Sequence, residues 1–181
     1  MLFRSVLRDT AGSGLTAQAT IAASFGCPYE GEVAETRVIA MAQRLAAAGA
    51  VEVSLADTIG VANPAHVERL VTAVRAAIAP LPVRVHFHNT RGTGLANVWA
   101  AVAAGASVVD ASIGGLGGCP FAPGAAGNVA SEDVVYMLER AGIATGMDLD
   151  RLVAASHWLG TIMDKPLPGL VSRAPAFPKA A

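Results

Sequence analysis

A strand–loop–helix unit occurs four times in succession along this chain, and this repetition constrains the fold more than any other feature. Each unit joins a short apolar run to a longer stretch with helical periodicity. Strands that alternate with helices pair in parallel and are connected by right-handed crossovers. We therefore predict an α/β chain with strands at 17–24, 51–55, 83–88 and 107–111 and helices at 33–48, from 63, 93–104, 131–141 and 149–163.

Residues typical of helix ends support these assignments. Gly49 and Gly105 follow the first and third predicted helices, where glycine closes a helix in the left-handed conformation. Asn63-Pro64 combines an N-cap residue with proline at the first helical position. Ser131 is predicted to cap the helix that follows the fourth strand.

Four such units form either a small open sheet or half of a (β/α)8 barrel. A doubly wound sheet usually carries G-x-G-x-x-G after its first strand, and this chain has none there. Residues suited to chemistry follow the strands, at the face where (β/α)8 barrels place their sites. We predict a partial TIM barrel over residues 1–165, with a helix near its end, and an irregular Pro-rich tail over 166–181.

The composition excludes two classes of partner. Hydrophobic residues make up 53% of the chain and charged residues 15%, and the net charge is −1 with no basic run. Nucleic-acid binding therefore has no electrostatic basis. We find no apolar span of 18 residues and no signal peptide, so we expect no membrane partner and a cytoplasmic location.

His86 and His88 lie two residues apart at the end of the third predicted strand. Side chains alternate faces along a strand, so both imidazoles point to the same side. A single buried histidine is usually structural, but a pair of this kind is a common metal-binding arrangement. Two imidazoles with oxygen donors suit magnesium or manganese as well as zinc. We interpret His66 and His157, on predicted helices, as packing or surface residues.

Three further side chains follow strands. The glycine-rich loop 114–118 leads to Cys119, whose thiol is a candidate for proton transfer, and on to Asn128, whose amide oxygen either binds a cation or caps a turn. Asp57 ends the second strand and either caps the next turn or contributes a carboxylate to the pocket. We interpret Cys27 as a free thiol rather than half of a disulfide.

Together these motifs resemble the hydroxymethylglutaryl-CoA lyase family, within the metallolyase barrels that include isopropylmalate and homocitrate synthases. The resemblance covers about residues 15 to 170. His-x-His is shared by the whole superfamily, whereas the cysteine loop is typical of the lyases and their nearest relatives. The motifs are Phe25-Gly26-Cys27-Pro28-Tyr29-Glu30-Gly31, Leu55-Ala56-Asp57-Thr58-Ile59-Gly60, His86-Phe87-His88 and Gly114 through Asn128.

This resemblance implies a function and a set of site residues. His86, His88 and Asn128 correspond to the metal ligands, Cys119 to the catalytic loop cysteine and Asp57 to a pocket aspartate, with His86 also placed among the catalytic residues. The implied cofactor is Mg²⁺ or Mn²⁺. The implied reaction cleaves 3-hydroxy-3-methylglutaryl-CoA, an acyl-CoA substrate, to acetyl-CoA and acetoacetate in leucine degradation and ketone-body formation.

The sequence departs from the family pattern in two respects. Asn89 stands where the family usually has aspartate. The chain matches only the last four of eight units, the C-terminal half of the barrel, and so lacks the arginine–aspartate pair of the first strand and a later glutamate. Arg8-Asp9 precedes the fifth strand of the family barrel and does not replace that pair. We expect weak or no turnover by the chain alone, and a homo-oligomer if the barrel is completed.

Three alternatives stay open at this point. In the first, the chain is a non-enzymatic or self-assembling half-barrel, in which two copies close a ring. In the second, it is a related acyl-CoA lyase or Claisen-condensing synthase with a different substrate. In the third, it is an unrelated metal enzyme, such as a hydrolase, although no further histidine follows a later strand.

Overall fold

Four parallel strands form one sheet, in chain order, in the computed structural model, which describes residues 5–7, 9–10, 13–118 and 127–175. The strands are β1 (Gln18–Ile21), β2 (Glu52–Asp57), β3 (Val83–Phe87) and β4 (Val108–Asp110). The helices are α1 (Glu35–Ala47), α2 (Pro64–Ile78), α3 (Gly94–Ala103), α4 (Ser131–Arg140) and α5 (Leu149–Ile162), with 3₁₀ turns at Ile113–Gly115 and Val171–Arg173. No helix in the described part of the chain is long and apolar enough to span a bilayer.

Strand β3 shows how the sheet divides the chain into two faces. Val83, Val85 and Phe87 are buried in the main hydrophobic cluster, together with residues of α1, α2 and α3. Arg84 and His86, which alternate with them, are only half-buried on the opposite face. The period-two pattern therefore separates the apolar core from a polar inner face.

The predicted strands β1 and β3 are shorter than their sequence patterns suggest. The backbone N–H of Ala23, a residue with φ of 53°, donates to the Thr58 hydroxyl at 2.9 Å, so the chain turns away after Ile21. His88 lies just beyond β3, because its backbone pairs with residue 128 in an antiparallel bridge instead of continuing the parallel ladder.

The predicted helix ends are confirmed at Gly49 and Gly105, which follow their helices with φ of 101° and 92°, and at Asn63, and are wrong at Ser131. The Asn63 side chain accepts a hydrogen bond from the His66 backbone N–H at 3.0 Å, as an N-cap should. Ser131 is not the cap of α4. It is the first helical residue, Ala130 precedes it without a side-chain cap, and the Ser131 N–H donates to the Ser112 carbonyl at 2.8 Å.

The segment after Lys165 is held against α4. Asp133 is buried, and its carboxylate accepts hydrogen bonds from the backbone N–H groups of Leu170 and Val171 at 2.7–3.0 Å. The 3₁₀ turn Val171–Arg173 follows these contacts. This part of the predicted irregular tail is therefore anchored by a buried carboxylate.

Replacement of Phe87 by alanine should lower the free energy of unfolding by about 3–5 kcal/mol, because the ring is fully buried and contacts Phe25 at a centroid distance of 5.7 Å. Urea denaturation measures the change. Trp99→Ala is the matched control, since that ring is 46% exposed and should contribute far less. Equal losses for the two variants would contradict the assignment of the core.

Candidate metal centre

The two histidines at the end of β3 converge on one point. His86 Nε2 lies 3.3 Å from His88 Nε2, and the ring centroids are 5.2 Å apart. The His88 residue is 5% exposed, whereas the His86 side chain is 29% exposed. The prediction that both rings point to the same side is therefore confirmed, and both Nε2 atoms face the same small region.

The far nitrogen of His86 faces a carboxylate on the neighbouring strand. His86 pairs with Asp110 in the parallel ladder, and His86 Nδ1 lies 3.5 Å from Asp110 Oδ2. Burial lowers the pKa of His86, and the proximity of His88 lowers it further, while Asp110 opposes the shift. These effects favour a neutral His86 ring, which is the form that binds metal ions.

Main-chain hydrogen bonds bring Asn128 beside the histidines. The backbone around His88 and Asn128 forms an isolated antiparallel bridge. The Val129 N–H donates to the Phe87 carbonyl at 3.2 Å, and the Asn89 N–H donates to the Gly127 carbonyl at 3.1 Å. Residues forty positions apart thus lie side by side at the end of β3.

The two polar atoms of the Asn128 carboxamide differ in their hydrogen bonding. Its Nδ2 group donates to the Leu116 carbonyl at 2.9 Å. Its Oδ1 atom is buried and has no hydrogen-bond partner among the residues that the structure describes. A buried acceptor without a partner is costly, and a bound cation would satisfy it.

The three predicted ligands therefore fit a divalent cation. Within the described ranges, no group of three or more His, Cys, Asp or Glu side chains is arranged to hold a metal ion. The third predicted ligand is the amide oxygen of Asn128, and asparagine is not one of those four residue types. Two imidazoles and an amide oxygen form a mixed donor set that leaves room for further oxygen ligands.

Asp57 lies beneath this region with both oxygens engaged. Oδ1 accepts from the Val61 N–H at 2.9 Å and Oδ2 accepts from the Ala62 N–H at 3.0 Å, so the carboxylate caps the turn after β2. Burial raises the pKa of Asp57, while these two N–H groups and the nearby His88 lower it. The structure thus bears out the capping interpretation, and a catalytic part for Asp57 stays a prediction.

Three other predicted residues have different outcomes. Asn89 Oδ1 accepts from the Gly94 N–H at 2.9 Å and so holds the start of α3, a task that an aspartate oxygen would also perform. Cys119 falls outside the described residues, and its role as catalytic cysteine stays a prediction. Cys27 is a free, half-buried cysteine, in agreement with its interpretation.

Sequence reasoning missed two acidic residues around the centre. Glu132 is fully buried and its Oε2 accepts from the Gly114 N–H at 3.0 Å, which ties α4 to the glycine-rich loop. Asp110 borders His86, as described above. Asp110 follows the apolar pair Val108-Val109, and the pairing of β4 with β3 would have placed it beside His86.

A parallel sheet with a candidate site at the carboxyl ends of its strands is typical of (β/α)8 barrels, and sequence comparison gives the family. Residues 11–159 match the HMGL-like family, so the chain belongs to that family. It is 46% identical over 167 residues to the hydroxymethylglutaryl-CoA lyase YngG of Bacillus subtilis, and this region is 92% of the chain and 56% of that protein. It is 47% identical over 167 residues to the (R)-citramalyl-CoA lyase of Chloroflexus aurantiacus, covering 92% of the chain and 53% of that protein.

A solved structure gives the same result. The HMG-CoA lyase of Acinetobacter baumannii, in complex with coenzyme A and 3-methylmalate, superposes with a TM-score of 0.90 at 43% identity. The alignment covers 95% of this chain and 56% of that one. The predicted α/β architecture, half of a (β/α)8 barrel, is therefore confirmed, and the chain spans about half the length of the relatives it matches.

Replacement of Gly117 by alanine should weaken metal binding more than it weakens folding. Gly117 has φ of 105°, and a Cβ there would lie 2.6 Å from Asn128 Nδ2. The Asn128 carboxamide is the part that would have to move, so we expect Mn²⁺ affinity to fall about 10–100-fold, as for other groups that orient a ligand. Calorimetric titration with Mn²⁺ measures this change.

Gly142→Ala is the matched control for that measurement. Gly142 also has a positive φ, 81°, but a Cβ there would meet nothing within 4 Å. Both variants should lose about 1–2 kcal/mol of stability from the left-handed backbone. Equal Mn²⁺ affinities would show that the contact of Gly117 with Asn128 does not orient the ligand.

Proposed function

We propose that this chain carries the metal-binding half of a carbon–carbon lyase site that cleaves 3-hydroxy-3-methylglutaryl-CoA to acetyl-CoA and acetoacetate. The observation that supports this most directly is the convergence of His86 Nε2 and His88 Nε2 beside Asn128, whose Oδ1 has no hydrogen-bond partner among the described residues. Membership of the HMGL-like family supports the same proposal. The proposed cofactor is Mg²⁺ or Mn²⁺.

The residues would divide the work as follows. His86, His88 and Asn128 would hold the cation, which when bound supplies positive charge that lowers the pKa of a coordinated hydroxyl group. A base accepts the proton of the C3 hydroxyl group of the substrate, which allows the C2–C3 bond to break. The electron pair of that bond passes to C2, which becomes the carbon of a thioester enolate, and C3 becomes the ketone carbon of acetoacetate.

Cys119 is proposed to transfer a proton in this sequence. A thiol on the loop after β4 is suited to protonate C2 of the enolate, which completes acetyl-CoA. Asp57 is proposed to support the site in two ways. Its carboxylate fixes the turn at Val61 and Ala62, and it places negative charge near His88. His86 is proposed to contribute to catalysis through the cation that it holds.

A second substrate is supported by the comparison with a citramalyl-CoA lyase at 47% identity. Citramalyl-CoA also carries a tertiary hydroxyl group at the bond that breaks, but its carboxylate is attached directly to the hydroxyl-bearing carbon. The same cleavage would release acetyl-CoA and pyruvate instead of acetoacetate. The ketoacid product therefore distinguishes the two substrates.

Completion of the barrel is proposed to require further polypeptide, either a second segment or a second copy of the chain. In the described ranges β1 pairs only with β2 and β4 only with β3, so the outer edge of each is open. An apolar cleft of about 530 Å³ lies beside β4, bordered by Val109, Val134, Leu138 and Ile143. Gel filtration with light scattering tests the self-assembled form, and a monomer would exclude ring closure by two copies.

Alanine at His86, His88 or Asn128 should each reduce Mn²⁺ affinity of the purified chain by at least tenfold, because each removes a donor atom. Calorimetric titration measures the affinity, and circular dichroism checks that each variant is folded. His66→Ala is the control, since that ring packs on Phe25 and is not among the proposed ligands. Unchanged affinity in the three site variants would refute the metal centre.

The purified chain with Mg²⁺ or Mn²⁺ should show little or no release of acetoacetate or pyruvate from the two substrates. Fusion to the first half of the Bacillus subtilis relative should raise turnover. In that fusion Cys119→Ala should lower turnover by about 10²–10⁴-fold with unchanged Mn²⁺ affinity, and Cys27→Ala should change neither. Full turnover by the 181-residue chain alone would show that no second half is needed.

A further inference from the structure

We propose that Asp110 is a positioning residue that holds the His86 ring in one orientation and one tautomer, with Nδ1 protonated and Nε2 available to a cation. The metal-binding consequence depends on the proposed function. The tautomer itself does not, because it is a property of the protein without metal.

The position of Asp110 follows from strand register. His86 and Asp110 are partners in the parallel ladder between β3 and β4, so their side chains share the inner face of the sheet. Asp110 Oδ2 lies 3.5 Å from His86 Nδ1. Because a carboxylate only accepts hydrogen bonds, it favours a proton on Nδ1 and leaves the lone pair on Nε2.

The carboxylate of Asp110 is itself held in place. Its Oδ1 accepts from Arg84 Nη1 at 2.5 Å, and Arg84 Nε donates to Glu52 Oε1 at 2.6 Å. Arg84 therefore joins acidic residues of β2 and β4 across β3. The Glu52, Arg84 and Asp110 side chains are 11%, 24% and 34% exposed, so water competes only partly with these contacts.

The two oxygens of Asp110 thus have different tasks. Arg84 occupies Oδ1, which leaves Oδ2 directed to His86. The other nitrogen of His86, Nε2, then faces His88 Nε2 at 3.3 Å. A carboxylate that orients a histidine in this way is the usual outer partner of a metal-binding imidazole.

This arrangement makes asparagine a more informative replacement than alanine. In Asp110→Asn only one oxygen remains, and the charged Arg84 would take it. The NH₂ group of the carboxamide would then face His86 and donate to Nδ1, which moves the ring proton to Nε2. If the ion pair of Asp110 were only structural, the isosteric Asn variant would lose less Mn²⁺ affinity than the Ala variant.

The test measures the His86 tautomer by long-range ¹H–¹⁵N NMR on the metal-free, full chain at a pH where the imidazoles are neutral. The His86 signals are assigned by their loss in His86→Gln. We expect the Nδ1–H form in the native protein and the Nε2–H form in Asp110→Asn. A native ring protonated on Nε2 would overturn the proposal without any Asp110 variant.

Mn²⁺ titration of the same samples provides the second measurement. We expect Asp110→Asn to lower affinity about 10–100-fold, and at least as much as Asp110→Ala. Glu68→Gln, which removes an exposed carboxylate of α2, is the control and should leave affinity unchanged. A smaller loss for Asn than for Ala would overturn the positioning role.

The two measurements separate failure of this proposal from failure of the proposed function. If the native chain binds no Mn²⁺ while His86 shows the expected tautomers, the metal centre is refuted and the Asp110 contact stands. If the native chain binds Mn²⁺ and the His86 tautomer is the same in all variants, Asp110 does not position the ring. The dispersion of the NMR spectra shows whether each variant is folded.

Discussion

The alternation of side chains along β3 is the constraint on which the rest of the structure depends. Val83, Val85 and Phe87 anchor the strand in the core beneath the helices, and this fixes Arg84 and His86 on the inner face. A shift of one residue in register would exchange the two sets and bury the charged groups. The apolar residues of the strand therefore determine to which side the His86 ring points.

The site is assembled by backbone pairing as much as by side chains. The bridge between His88 and Asn128, with its hydrogen bonds to Phe87 and Asn89, places two donors from distant parts of the sequence at one strand end. The glycine-rich loop packs closely on the Asn128 carboxamide, so the position of the loop and the position of the amide oxygen depend on each other. The conformation of the loop at Gly117 therefore restricts the orientation of the Asn128 carboxamide.

The fold and part of the site could be predicted from the sequence because both depend on local periodicity. The spacing of His86 and His88 was sufficient to place both rings on one face, and Asn63-Pro64 marked the start of α2. The prediction of Ser131 as an N-cap is wrong, because Ser131 is the first residue of α4 and its backbone N–H donates to the Ser112 carbonyl. Asp110 and Glu132 were missed because their importance arises from contacts between strands and loops far apart in the chain.

The row of charges formed by Glu52, Arg84 and Asp110 has a consequence for assembly. These side chains occupy the surface that a barrel encloses, and they are paired with one another across three strands. An inner face of this kind resists stacking against an apolar sheet, since that contact would strip water from charged groups without replacing it. Any polypeptide that closes over this sheet must therefore present polar atoms or retain water, which discriminates between correct barrel closure and indiscriminate sheet-to-sheet aggregation.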